Sequence, residues 1–93
     1  MITSFKYKGL ELFFIKGSYK GIPAQYGSLI ERMSDRLDAA KQAEEMDLPG
    51  YKLHALKGDR KGEFAVSVSG NLRITYQFFG EDAINVNLED YHG

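Results

Sequence analysis

The sequence predicts an α+β fold, with two N-terminal helices packed on one face of a small, mainly antiparallel sheet in the order β-α-α-β-β-β-β. Two observations predict it. Apolar residues recur at helical spacing as far as about residue 45, and from Tyr51 onward the period drops to two. Short polar gaps at Ser69–Asn71 and Gly80–Asp82 then separate the later alternating runs, so that consecutive strands can pair through tight hairpins.

Each element follows in turn. Ile2 to Phe5 is short and β-compatible. Leu10, Phe13 and Phe14 fall at helical spacing with Gly17 as a stop, which predicts a helix over Lys8–Lys16. Pro23 suits a helix start, and Tyr26, Leu29, Ile30, Met33, Leu37 and Ala40 continue one apolar stripe. This second helix is expected to run to about Glu45 and to be ended by Leu48–Gly50. Leu53 and Ala55 alternate with Lys52 and His54; Phe64, Val66 and Val68 with Ala65, Ser67 and Ser69; Leu72, Ile74, Tyr76 and Phe78 with Arg73, Thr75 and Gln77. Ile84, Val86 and Leu88 make a last strand. Two helices can cover only one face, so the other is expected to be wet and to carry Lys52, His54, Ser67, Arg73, Thr75, Asn85 and Asn87.

With 93 residues, 43% apolar and 27% charged, the composition is that of one globular domain spanning residues 1–93. Cysteine is absent, which excludes disulfides, thiolate metal sites and a cysteine nucleophile and fits a reducing cytoplasm. No secretion signal or membrane span is read. The net charge of -1 argues against a polyanion binder, but charge is blocked along the chain. It runs +3 over residues 1–30, -3 over 31–50, +3 over 51–75 and -4 over 76–93, which makes 51–75 the candidate anion-binding stretch.

The chain ends in Leu88–Gly93, "LEDYHG", and this run holds one of only two histidines. His54 and His92, with Asp90 and Tyr91, set proton-handling groups beside the fixed cations Lys57, Arg60 and Arg73. General acid-base cleavage of a phosphodiester needs that combination: a base for the nucleophile, an acid for the leaving oxygen, and cations for the charge developing on phosphate. Tyr91, flanked by Asp90 and His92, has little core to enter and can stack on a base. The basic turn "LKGDRKG" is not a phosphate-binding loop of the nucleotide-hydrolase type, and no dinucleotide fingerprint occurs, so no cofactor is expected. Asp90 and His92 lack a third ligand at suitable spacing, and no metal is expected.

"YKLHALKGDRKGEFAVSVSGNLRITYQF" and "LEDYH", together with "FKYKGLELFF" and "GIPAQ", resemble the HigB toxins, a branch of the RelE/ParE toxin superfamily, over nearly the whole chain. Phe64 and Leu72 depart from that pattern, standing where relatives commonly have Trp, and Tyr7 stands where His is frequent. The resemblance implies a cytoplasmic, ribosome-dependent mRNA endonuclease that cuts codons in the A site and so inhibits translation and growth. It implies as partners a helix-turn-helix antitoxin of the HigA type, the small-subunit decoding site and mRNA, with operator DNA reached only through the antitoxin and no membrane. Carried over by position, His54, Arg73, Asp90, Tyr91 and His92 are the expected catalytic set, and Lys57 and Arg60 match as basic residues; with Lys52 and Lys61 of the same basic stretch these are the expected RNA-phosphate contacts. The implied chemistry is attack of the ribose 2′-OH on its own phosphate, which DNA cannot undergo. Two other readings share the scaffold: a gyrase inhibitor of the ParE type without chemistry of its own, and a module that grips ribosomal RNA electrostatically.

Overall fold

The computed structural model describes residues 1–91, and the expected α+β architecture is present. Helix α1 spans Lys8–Lys16, with the bounds expected from its spacing. Gly17 ends it in the left-handed conformation (φ 72°), and its N–H donates to the Phe13 carbonyl at 2.9 Å. Leu10 and Phe13 are the buried residues of this helix. Gly9 and Gly21 hold the Tyr7 ring between them, its hydroxyl donating to the Gly21 carbonyl at 2.7 Å. A methyl group on Gly9 would lie 2.6 Å from that ring, so the glycine is there for close approach.

Helix α2 is shorter than the sequence predicts. A 3₁₀ turn at Ala24–Tyr26 leads into α2, Gly27–Ala39, and the chain then becomes extended at Ala40. A second 3₁₀ turn, Ala43–Met46, starts from a reciprocal cap between Gln42 and Glu45, whose carboxylate accepts from the Lys41 and Gln42 N–H groups at 2.8 and 3.1 Å. That cap starts a new element where one continuous helix was expected. Met46 is still fully buried, so the apolar stripe reaches its target without the helix.

Four antiparallel strands follow in sequential order: β1 His54–Ala55, β2 Phe64–Ser67, β3 Leu72–Phe79 and β4 Asp82–Asp90. Strand β1 is only two residues long, and just ahead of it Lys52 turns the backbone left-handed (φ 52°). The expected N-terminal strand is reduced to two parallel bridges with β4, Ile2 to Ala83 and Phe5 to Val86. A bulge interrupts the β3–β4 ladder between Thr75 and Gln77, with Asn85 in the left-handed region (φ 53°). Its N–H donates to Ser4 Oγ at 2.8 Å and its Nδ2 to Gln77 Oε1 at 2.7 Å.

The core lies between the helices and one sheet face. Leu10 and Phe13 of α1 and Ile30, Met33 and Leu37 of α2 meet Val66, Leu72, Ile74, Tyr76 and Val86. Tyr76 is its largest fully buried side chain, flanked by Phe64 and Phe78 at ring-centroid distances of 6.0 and 5.9 Å. Its hydroxyl donates to the Ala43 carbonyl at 3.1 Å, and burial holds the phenol above the ordinary tyrosine range. No helix among the described residues is long and apolar enough to cross a membrane.

Candidate active site

Directly opposed residues of an antiparallel pair point to the same side, so the register builds the second face. One row runs from His54 through Ala65 and Thr75 to Asn87, and the adjacent row through Ser67 and Arg73 to Glu89. Strand and row spacings put the Cα atoms of His54 and Arg73 roughly 12 Å apart.

This face is not wet, contrary to expectation. Ala65 and Thr75 are 0% and 1% exposed. The chain between β1 and β2, closed by the Leu56 N–H on the Glu63 carbonyl at 2.9 Å, carries Arg60 on a short 3₁₀ turn, Gly58–Arg60. Its side chain reaches across Ala65 and Thr75 to β4. Arg60 Nε and Nη2 donate to the Glu63 carboxylate at 3.2 and 2.8 Å; Nη1 donates to Glu89 Oε1 at 3.0 Å, and Nη2 bonds Glu89 Oε2 as well. Arg73 Nε donates to Glu89 Oε1 at 3.0 Å, with its Nη2 at 3.0 Å from the same oxygen. The Arg73 guanidinium carbon also stands 4.2 Å from the centre of the Tyr91 ring. The result is a continuous chain, Glu63–Arg60–Glu89–Arg73–Tyr91. The Arg60 hydrogen bonds, first of all, hold both the Glu63 and Glu89 carboxyls below the usual carboxylate range, with Arg73 adding to the effect on Glu89. The same two carboxylates push Arg60 further into its charged form. Beneath the network, Thr75 Oγ1 has no hydrogen-bond partner among the described residues.

At the Tyr91 end lies a cavity of about 350 Å³, lined in part by Lys52, Ser67, Ser69 and Tyr91. The left-handed backbone of Lys52 has a second consequence here, because its carbonyl lies 3.0 Å from His54 Nδ1. A carbonyl can only accept, so Nδ1 carries the hydrogen and Nε2 is left toward solvent.

The structure thus brings Arg73 and Tyr91 into contact, gathers Lys52 at the same cavity, and places the exposed His54 on the same face. It does not bring Asp90 there. Asp90 pairs with Leu72, which faces the helices, and its Oδ1 accepts from Asn71 Nδ2 at 2.8 Å. The expectation that Asp90 stands with Tyr91 beside Arg73 is therefore corrected: Asp90 shares the face of Leu88, and Tyr91 that of Glu89. Arg60 is not a free cation, since all of its nitrogens face the two carboxylates. Lys57 and Lys61 are exposed on the loop around Gly58–Arg60. His92 lies outside the described residues.

Sequence reasoning missed Glu63 and Glu89. The signals were present: Glu63 follows Arg60 by three residues, and the Asn85–Asn87 face continues to Glu89 and Tyr91. Among the described residues no group of three or more metal-ligating side chains comes together.

A family model described as a RelE-like toxin of type II toxin-antitoxin system HigB matches residues 3–92. An endoribonuclease HigB of Proteus vulgaris is 50% identical over 95 aligned positions, which cover 99% of this chain and 100% of that protein. Toxin HigB-1 of Vibrio cholerae serotype O1 is 28% identical over 93 positions, covering 98% of each.

Proposed function

The chain belongs to the RelE-like HigB toxins of type II toxin-antitoxin systems, and from that premise we propose that it is an endoribonuclease that cuts mRNA codons in the ribosomal A site. The observation that carries this reading is the contact of Arg73 with Tyr91, a ring that lines one cavity together with Lys52. A guanidinium and an ammonium there suit a phosphate, and an aromatic ring beside them suits a base.

The chemistry follows from what each group can do. The ribose 2′-OH attacks the adjacent phosphorus, the 5′-oxygen of the next nucleotide leaves, and the products are a 2′,3′-cyclic phosphate and a free 5′-OH. His54, with Nδ1 fixed on the Lys52 carbonyl, offers Nε2 for proton transfer. His92, which follows Tyr91 in sequence, is the second proton-transfer group. Arg73 stabilises the charge that develops on the phosphoryl oxygens, with Lys52 and the loop lysines Lys57 and Lys61 drawing in the backbone. Tyr91 orients the nucleotide. Asp90 acts at one remove, by holding the β2–β3 turn through Asn71. So small a surface leaves alignment of the mRNA to the decoding site, which supplies much of the proximity effect. An antitoxin of the HigA type, and a cytoplasmic site of action, belong to the same reading.

The test is to add the purified protein to stalled ribosomes that carry a defined A-site codon and to map the new mRNA ends. Codon-phased cuts ending in cyclic phosphate are expected, and Arg73→Ala or His92→Ala should slow them sharply, to a residual rate still measurable with excess protein, in a folded protein. Intact mRNA together with inhibited gyrase would replace this reading with that of a binding-only toxin.

A further inference from the structure

Two arginines meet at Glu89, and they are held very differently. Every nitrogen of Arg60 is directed at a carboxylate: Nε at Glu63, Nη1 at Glu89, and Nη2 at both. Arg73 is engaged through Nε and Nη2 only, on the single oxygen Glu89 Oε1, and its Nη1 has no protein partner among the described residues. One edge of its fork is tied down and its guanidinium carbon lies over the Tyr91 ring, which leaves Nη1 to bond a ligand.

A free arginine side chain would lose considerable rotamer entropy on gripping a phosphate, and a guanidinium already fixed loses less. From this arrangement we propose that Glu89 is a positioning residue: it holds the guanidinium of Arg73 over Tyr91 with Nη1 toward the incoming phosphate, while Arg60, held in turn by Glu63, keeps the Glu89 carboxylate in place. The proposal rests on the nuclease reading above and gives Arg60 a supporting duty instead of a direct phosphate contact. It requires no movement of the network during the reaction.

Glu89 has a second, opposing effect. Its negative charge beside Arg73 weakens the attraction for a polyanion. Removing that charge should therefore strengthen or preserve substrate binding while degrading the geometry of the transition state. A role in folding alone produces no such split between KM and kcat.

The experiment is cleavage of a defined A-site codon on stalled ribosomes, under single-turnover conditions, by Glu89→Gln, Arg73→Ala and the double variant. Concentrations are normalised to folded protein by circular dichroism. Glu89→Gln is expected to lower the maximal rate about 10- to 100-fold with KM unchanged or lower. In the Arg73→Ala background the same substitution should change the rate by less than about threefold, because no guanidinium remains to be placed. An unchanged maximal rate for Glu89→Gln, or an equal loss in both backgrounds, overturns the proposal. A wild-type protein that cuts nothing overturns the nuclease reading itself, and the wild-type lane tells the two failures apart. If Glu89→Gln does not fold, Arg60→Lys keeps a charge but loses the fork: a lowered maximal rate at constant KM supports the proposal, and an unchanged rate overturns it.

Discussion

Arg60→Ala gives the most direct measure of what the ionic network does for the fold. The substitution leaves two carboxylates facing each other with side chains only 15% and 18% exposed, and Glu89 keeps Arg73 while Glu63 loses its partner. Breaking a fully buried pair costs about 3–5 kcal/mol, and an exposed one about 0–1. Because the Arg60 side chain is itself 35% exposed and screened by water, the loss should fall between these limits, at roughly 2 kcal/mol near pH 7. For a domain of this size that corresponds to a fall in melting temperature of roughly 8–16 °C. The deficit should also depend on pH with a definite sign. Arg60 holds Glu63 and Glu89 below their unfolded values, so the stability that it confers is complete above about pH 5 and is lost as pH falls through the folded-state values. Urea denaturation of both proteins at pH 7 and at pH 3 measures this, and the gap should shrink to under about 1 kcal/mol at the lower pH. Equal stability at pH 7, or a gap that does not close in acid, would refute the argument.

Three further outcomes are expected. Tyr76→Phe leaves the Ala43 carbonyl without its donor in the core and should cost about 1–2 kcal/mol in urea denaturation, with little change in the cleavage rate of folded protein. Asn85→Ala removes the bond to Gln77 and the short polar side chain that tolerates φ 53°, for a loss of about 1–2 kcal/mol, whereas Asn85→Gly should lose less than Asn85→Ala because glycine bears the backbone angle without strain. Tyr91→Phe retains the ring under Arg73 and should cut mRNA within a few-fold of wild type, while Tyr91→Ala should lose at least about 30-fold, as read from single-turnover cleavage.

What the sequence discloses here depends on how local the cause is. The bounds of α1 were legible because an apolar spacing and a terminating glycine lie within ten residues of each other. The early end of α2 was legible in principle, since Gln42 and Glu45 spell a cap, but the apolar stripe continued past it and masked the break. The turn just ahead of β1 was not legible, because nothing in Lys52 announces a left-handed backbone. At the candidate site, strand alternation alone found Arg73, Thr75 and His54 as sharing a face. It also held the answer for Asp90, since carrying the Asn85–Asn87 alternation two steps further selects Glu89 and Tyr91. The tie between Arg60 and Glu89 joins a loop to a strand twenty-nine residues later in the chain, and such a contact leaves no period to detect.

The two parallel bridges from residues 2 and 5 to β4 carry a consequence for synthesis. Thr3 N–H donates to Ala83 and Lys6 N–H to Val86, while Ala83 N–H donates back to Met1 and Val86 N–H to Ser4, so the first few residues find their partners some 80 positions later. Closing so long a loop is among the slowest contacts that a chain of this length can make. A nascent polypeptide still short of residue 82 has helices to fold but no edge for its opening segment to join, and neither Glu89 nor Tyr91 to meet Arg73. The junction of Arg73 with Glu89 and Tyr91 therefore forms only once β4 has been made, however early the helices have folded.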